Sequence, residues 1–252
     1  MIQRLLQNPF SGLPHFLPSQ CAVCRSWPAK PVCAACVAHF SPGALRCDCC
    51  AVLLPVGLLL GPESGSRRCA SCIRQPPPLD STLAALDYAY PWSALIGTFK
   101  FGNQPGWAPF FADMMLKVPG VGQALTELGQ TDLILPIPLS KERLQTRGFN
   151  QAWELTKALA RQSGNTAQTS STLLLRLKNT RPQTELKREA RLDNVRDAFQ
   201  VDPLRQTQLK GRRIVLVDDV VTSGASLFTA AAVLRAAGAA HITGIVLSRT
   251  PQ

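Results

Sequence analysis

One segment constrains the fold more than any other. Arg213-Ile-Val-Leu-Val217, apolar after its first residue, runs into Asp218-Asp219, two further valines and then Thr222-Ser-Gly-Ala-Ser226. A continuous apolar run of this kind suits a central parallel strand covered on both faces, since a half-exposed strand would alternate. Ala225 to Ala237 then reads as an alanine-rich helix closed by Gly238, and Ile242 to Leu247 as another buried strand. Strand, helix and strand in this order call for a crossover connection, and hence for an α/β fold with a parallel sheet and flanking helices.

The turn between strand and helix carries chemistry. Thr222, Ser223 and Ser226 bring three hydroxyls, Gly224 and Ala225 leave backbone amides unobstructed, and the helix N-terminus adds positive partial charge, a combination that suits phosphate. Asp218 and Asp219 fall at the carboxyl end of the strand, where open α/β sheets bind ligands. Adjacent carboxylates can accept hydrogen bonds from two ribose hydroxyls and help hold Mg²⁺ on a diphosphate. Asp, Thr and Ser are also good helix caps, so an Asp-Asp pair by itself would mean an ordinary turn. The joint pattern is what points to a ribose phosphate.

Upstream, the pattern predicts a strand over 83–90, helices over 92–101 and 107–117, a strand over 132–138 ending at prolines, a helix over 149–161 and a strand over 173–177. Of the net charge of +11, residues 141–213 hold 16 Lys/Arg against 7 Asp/Glu, whereas residues 81–140 hold 2 against 4. A basic excess next to the Asp-Asp strand favours a polyanion, either a diphosphate or a nucleic acid, and charge does not separate these. Arg143 and Arg147, four residues apart, would share one helical face and could both reach a diphosphate; a solvated face is the plainer alternative. Asn150 is placed to cap the helix that follows it.

Eight of the nine cysteines form Cys-x-x-Cys pairs: Cys21/Cys24, Cys33/Cys36, Cys47/Cys50 and Cys69/Cys72, with Cys49 left over. Two such pairs complete one tetrahedral Cys₄ zinc site, so eight ligands imply two structural Zn²⁺ ions, paired sequentially or in a cross-brace. A secretory signal is not evident and no apolar run approaches the roughly 20 residues of a membrane span, which leads to the expectation of a cytoplasmic protein with reduced thiols. Gln75-Pro-Pro-Pro-Leu79 reads as a stiff linker. The expected division is therefore an N-terminal segment with a Cys-rich zinc-ribbon module over 1–78, and the α/β domain over 79–252.

Val215 to Ser226 resembles the PRPP (phosphoribosyl diphosphate) binding motif of type I phosphoribosyltransferases. Pro136-Ile-Pro-Leu-Ser140, Arg143, Arg147-Gly-Phe-Asn-Gln151 and the stretch 184–199 with Arg191, Asn194 and Ala198-Phe199 resemble the ComF family, including its GntX-like members; with the cysteine module the likeness spans nearly the whole chain. The resemblance implies a type I phosphoribosyltransferase-like sheet. It also implies that Leu139, Ser140 and Lys141, in the loop after the first core strand, meet the pyrophosphate, and that Arg181 to Arg191 forms a basic loop over the diphosphate. Its setting is competence and the use of external DNA.

Two functions follow as expectations. One is a Mg²⁺-dependent phosphoribosyltransferase of unidentified nitrogenous acceptor, with Asp218 and Asp219 at the reacting ribose. The other is an accessory protein that binds a nucleotide or single-stranded DNA at the same phosphate site, together with DNA-uptake proteins. Few aromatics interleave the basic stretch, which weakens a single-strand signature. A purely structural zinc-ribbon adaptor would leave the Thr-Ser-Gly-Ala-Ser turn unexplained.

Overall fold

In the computed structural model, which describes residues 19–27, 29–55, 67–177 and 198–251, the strands are β1 (Ser81–Asp87), β2 (Leu133–Pro136), β3 (Gln168–Thr169), β4 (Leu174–Arg176), β5 (Phe199–Val201), β6 (Arg213–Val221) and β7 (His241–Arg249). Five of them form one all-parallel sheet in the order β1-β7-β6-β2-β3, while β4 and β5 make a separate antiparallel ribbon. The parallel α/β class expected from the sequence is thus what the chain adopts. The helices are α1 (Ala34–Phe40), α2 (Ala70–Arg74), α3 (Trp92–Phe101), α4 (Ala108–Leu116), α5 (Val121–Thr126), α6 (Lys141–Arg147), α7 (Gln151–Ser163) and α8 (Ala225–Ala236).

Burial explains the composition of the central strands. Ile214 and Leu216 of β6 pack in one core cluster with Ala230, Ala231 and Leu234 of α8. Val215 and Val217 point the opposite way, as strand alternation requires, and are also buried. Helices α4 and α7 pack against the sheet as well, α7 on β2 and β6 and α4 on β7. Edge strand β1, in contrast, buries only alternate residues, Thr82, Ala84 and Leu86.

Two departures from the sequence pattern matter for the site. Strand β6 continues through both aspartates to Val221, because β7 stays paired with it as far as Val221↔Arg249. On the other edge its pairing with β2 ends at Pro136↔Val217, followed only by the Ile137 amide donating to the Val217 carbonyl at 2.8 Å. From Asp218 onward β6 therefore lacks a β2 neighbour. The chain leaves β2 towards β3 and leaves β6 towards β7, in opposite directions, so a crevice opens at this switch point, where α/β sheets bind ligands.

By its contacts the chain divides into residues 1–42 and 43–252. The first unit holds Cys21, Cys24, Cys33 and Cys36; the second holds Cys47, Cys50, Cys69 and Cys72 together with the sheet. Both cysteine groups use a short helix that begins on a thiol, with Cys33 as N-cap of α1 and Cys69 as N-cap of α2. Neither helix was legible as periodicity, since each is only a turn or two long. Among the described residues no helix is long and apolar enough to cross a membrane.

Candidate functional site

At the switch point lies a cavity of about 520 Å³. One wall is the end of β6 and the turn after it: Asp218, Asp219, Thr222, Gly224, Ala225 and Ser226 all line it. The opposite wall comes from α6 and the start of α7, which contribute Arg143, Arg147 and Asn150. Cavity-lining residues separated by some 70 positions in the sequence thus meet in one place.

The turn is built by local rules. Gly224 adopts φ +86°, and a Cβ there would fall 2.5 Å from the Phe228 ring, so only glycine fits without strain. The Ser223 hydroxyl accepts a hydrogen bond from the Ala225 amide at 3.4 Å and does not line the cavity. The helix that follows, α8, starts at Ala225 behind Gly224, which has no side chain to cap it, and its N-terminus faces the cavity through Ala225 and Ser226.

The carboxylates sit in opposed electrostatic settings. Asp219 is buried and pairs with Lys100 Nζ at 3.1 Å, and its Oδ1 also accepts from the Val220 amide. Asp218 Oδ1 accepts from the Asp219 amide at 2.8 Å. Burial, then the charge of Asp219, pushes the Asp218 carboxyl up to about 8, against the pull of Lys100 and Arg176. Two adjacent carboxyls with one half-buried lysine, paired to Asp219, are short of positive charge, which is the environment a divalent cation would relieve.

Across the cavity the imbalance is reversed. Burial lowers Arg143, and Arg147 lowers it further. Arg176, on β4, is brought down to about 10 by burial and by Arg143, with Asp218 opposing. Guanidinium groups that depress one another's ionisation in this way favour a polyanion between them. Arg147 is held in place by its Nη1 donating to Gln151 Oε1 at 3.1 Å and by stacking over the Phe101 ring, 4.9 Å from its centroid.

Not every expected residue reaches the cavity. Ser140 is buried as the N-cap of α6, its hydroxyl accepting from the Arg143 amide at 3.4 Å, and neither it nor the exposed Lys141 is among the lining residues, although Leu139 is. Arg181 to Arg191, with Asn194, lie outside the described residues. Conversely, Lys100, Arg176, Tyr88 and Phe101 line the cavity without having been singled out. Lys100 is one of only two basic residues in 81–140, the one local hint available; Arg176 gave none, because it reaches the site through the β4–β5 ribbon, where its guanidinium lies over Phe199.

The eight paired cysteines assemble sequentially. In each group, one sulfur per residue, the four Sγ atoms lie within 4.8 Å of one another, as a single tetrahedral ion needs. Backbone amides point at the sulfurs, with Cys33 N donating to Cys21 Sγ and Cys69 N to Cys47 Sγ, both at 3.3 Å. Burial resists ionisation of Cys21, but amide donors outweigh it and bring the thiol down to about 6; Cys47 falls to about 4, chiefly through the Cys50 thiol. Burial meanwhile pushes Cys36 and Cys72 up to about 12. Thiols within one group are thus pulled in opposite directions, Cys24 too being lowered, by its bond with the Ser26 hydroxyl, an imbalance that a bound cation would relieve. These residues fit a metal ion of the zinc type. Cys49 and His39 stand outside both groups.

No protein-family model matches the chain. Among curated proteins it is 30% identical to the DNA utilization protein YhgH of Salmonella typhi over 210 residues, covering 81% of this chain and 90% of the relative. It is likewise 30% identical to competence protein F of Haemophilus influenzae over 177 residues, 70% of this chain and 76% of the relative. Competence protein ComFC of Bacillus subtilis is 34% identical over 119 residues, 47% of this chain and 45% of that protein. Among solved structures, the HGPRT-ase of Leishmania tarentolae in complex with GMP aligns over 60% of this chain and 66% of its own at 16% identity, with a TM-score of 0.28. The HGPRT of L. donovani aligns at 16% identity over 58% and 65%, with a TM-score of 0.29. At such scores the chemistry of the cavity has to be read from its own residues.

Proposed function

The chain belongs to the ComF family, together with the DNA utilization protein YhgH and competence protein F, and from that footing we propose that its cavity binds PRPP with Mg²⁺ in the service of DNA uptake or utilisation. The observation that carries this reading is the division of charge across one cavity. Two carboxylates and a helix-opening turn line one wall, and Arg143, Arg147 and Arg176 are among the residues that line the remainder. In this arrangement Asp218 and Asp219 take the ribose hydroxyls and the metal, Thr222, Gly224, Ala225 and Ser226 take the 5-phosphate with Ser223 bracing the turn, and the arginines take the diphosphate.

If transfer follows, the bond between the anomeric carbon and diphosphate breaks with its electron pair leaving on the diphosphate. A nitrogen lone pair forms the new bond and the acceptor gives up a proton. Mg²⁺ would neutralise charge on the departing diphosphate, and the arginines would add to that stabilisation. Among the described lining residues there is no histidine or glutamate to take that proton. The two cysteine groups we assign to structural Zn²⁺.

A second reading, a non-catalytic protein that binds a nucleotide or single-stranded DNA at the same phosphate site, draws on Phe101. This ring is 72% exposed, lines the cavity and is backed by Arg147, as a stacking platform beside a phosphate site would be.

Calorimetry with PRPP and Mg²⁺ on the wild type and on the Asp218→Asn/Asp219→Asn double variant tests the site. Binding by the wild type with at least tenfold loss in the variant is the expected result; equal binding by both, or none by either, overturns the assignment. Pyrophosphate release over a panel of bases and amines then separates a transferase from a binding protein, and an oligodeoxynucleotide that competes with PRPP would favour the second reading.

A further inference from the structure

Within the unit 43–252, the second cysteine group and the phosphate-side turn meet at one buried side chain. Arg249 ends β7 and is 2% exposed. Its Nε donates to the Cys50 carbonyl at 3.0 Å, and its Nη1 donates to the carbonyls of Val221 at 3.1 Å, of Thr250 at 3.2 Å and of Thr222. Cys50 belongs to the group of four thiols, and Thr222 opens the turn. A guanidinium is a rigid planar fork, so its acceptors are held in fixed mutual directions, which neither an apolar side chain nor a lysine would do.

A second contact runs beside the first. Phe228, on the first turn of α8, packs against the cysteine cluster, and the same ring fills the space where a Cβ on Gly224 would lie. The turn is thus braced at its start by Arg249 and at its glycine by Phe228, both backed by the cysteine loop. That loop is itself fastened to the sheet. Thr82 Oγ1 donates to the Cys49 carbonyl at 2.7 Å, and Arg46 donates to the Ala51 carbonyl at 3.2 Å while pairing with Asp87 at 2.8 Å.

We propose that Arg249 is a positioning residue that couples metal occupancy at Cys47, Cys50, Cys69 and Cys72 to the shape of the Thr222–Ser226 turn. A metal ion in this group and a phosphate on the turn then each favour the binding of the other, as linkage requires. The identity of that phosphate as part of PRPP rests on the function proposed above; the coupling does not.

The test is hydrogen exchange read by mass spectrometry on the full zinc-loaded chain, in wild type, Arg249→Met, Arg249→Lys and the control Arg235→Met, a more exposed arginine that also donates to backbone carbonyls. Exchange at 47–52 and at 221–226 is expected to rise about tenfold in Arg249→Met, with α7 unchanged, partial recovery in Arg249→Lys and no change at these segments in Arg235→Met. A zinc chelator added to the wild type is expected to loosen the same turn, and PRPP affinity in Arg249→Met to fall about tenfold. The proposal is overturned if the turn exchanges at the wild-type rate in folded Arg249→Met, or if exchange rises by one factor throughout the chain. Should Arg249→Met fail to fold, the chelator arm decides, because a loosened cysteine loop above an unchanged turn refutes the coupling. A wild type that binds no PRPP removes the proposed function while leaving the exchange result to stand by itself.

Discussion

Asp218 keeps its proton to an unusually high pH, because burial and then Asp219 raise its carboxyl to about 8 from an ordinary 3.8. Between those two values the folded chain holds more protons than the unfolded one, so this group's contribution to stability declines as the pH rises through that window. Asp218→Asn removes the decline. In urea unfolding the variant is expected to gain on the wild type between pH 5 and pH 8.5 by more than about 1 kcal/mol, even as ligand binding is lost; parallel curves for the two proteins would refute it. At this scale the sequence showed the Asp-Asp pair, the turn and Arg143/Arg147 through spacing. Beyond the scarcity of basic residues around Lys100, neither it nor Arg176 nor Arg249 was legible, since each acts through partners distant in sequence, 27 positions away for Thr222 and 199 for Cys50 in the case of Arg249.

Element by element, caps and apolar runs carried most of the information. Asn150 caps α7 through its Oδ1, which accepts from the Ala152 amide at 3.0 Å, and its Nδ2 also donates to the Ile137 carbonyl at 3.1 Å just beyond β2. One side chain therefore ties a helix start to the strand end beside the cavity. Asn150→Ala is expected to cost roughly 1–2 kcal/mol in chemical denaturation, and Asn150→Asp, which keeps the cap but not the donor, less. Where elements were misjudged, long-range pairing was the reason. Aspartate is a poor strand former, yet β6 runs through Asp218 and Asp219 because β7 supplies hydrogen bonds on one side. Helices α1 and α2 arise where thiols converge, a constraint that periodicity does not express.

For the whole molecule, the two cysteine groups are alike in local build and different in what they support. Elemental analysis of freshly purified protein is expected to give two zinc ions per chain, and values well under one would refute the metal assignment. Because the second group shares a compact unit with the sheet and the first does not, Cys47→Ser should lower the main thermal transition by roughly 5 °C or more, whereas Cys21→Ser should leave it within about 2 °C. The parallel α/β class, the strand–Asp-Asp–turn unit and the two sets of four cysteines are legible from the chain alone, because each follows from local rules of burial, capping and spacing. That β2 stops short of Asp218 and opens the cavity emerges only once the strands are paired. The same holds for the cations from α3, α6 and β4 that converge there, and for Arg249, which joins the second cysteine group to the turn. These depend on which strands lie side by side, and a register between distant segments leaves no mark on either one alone.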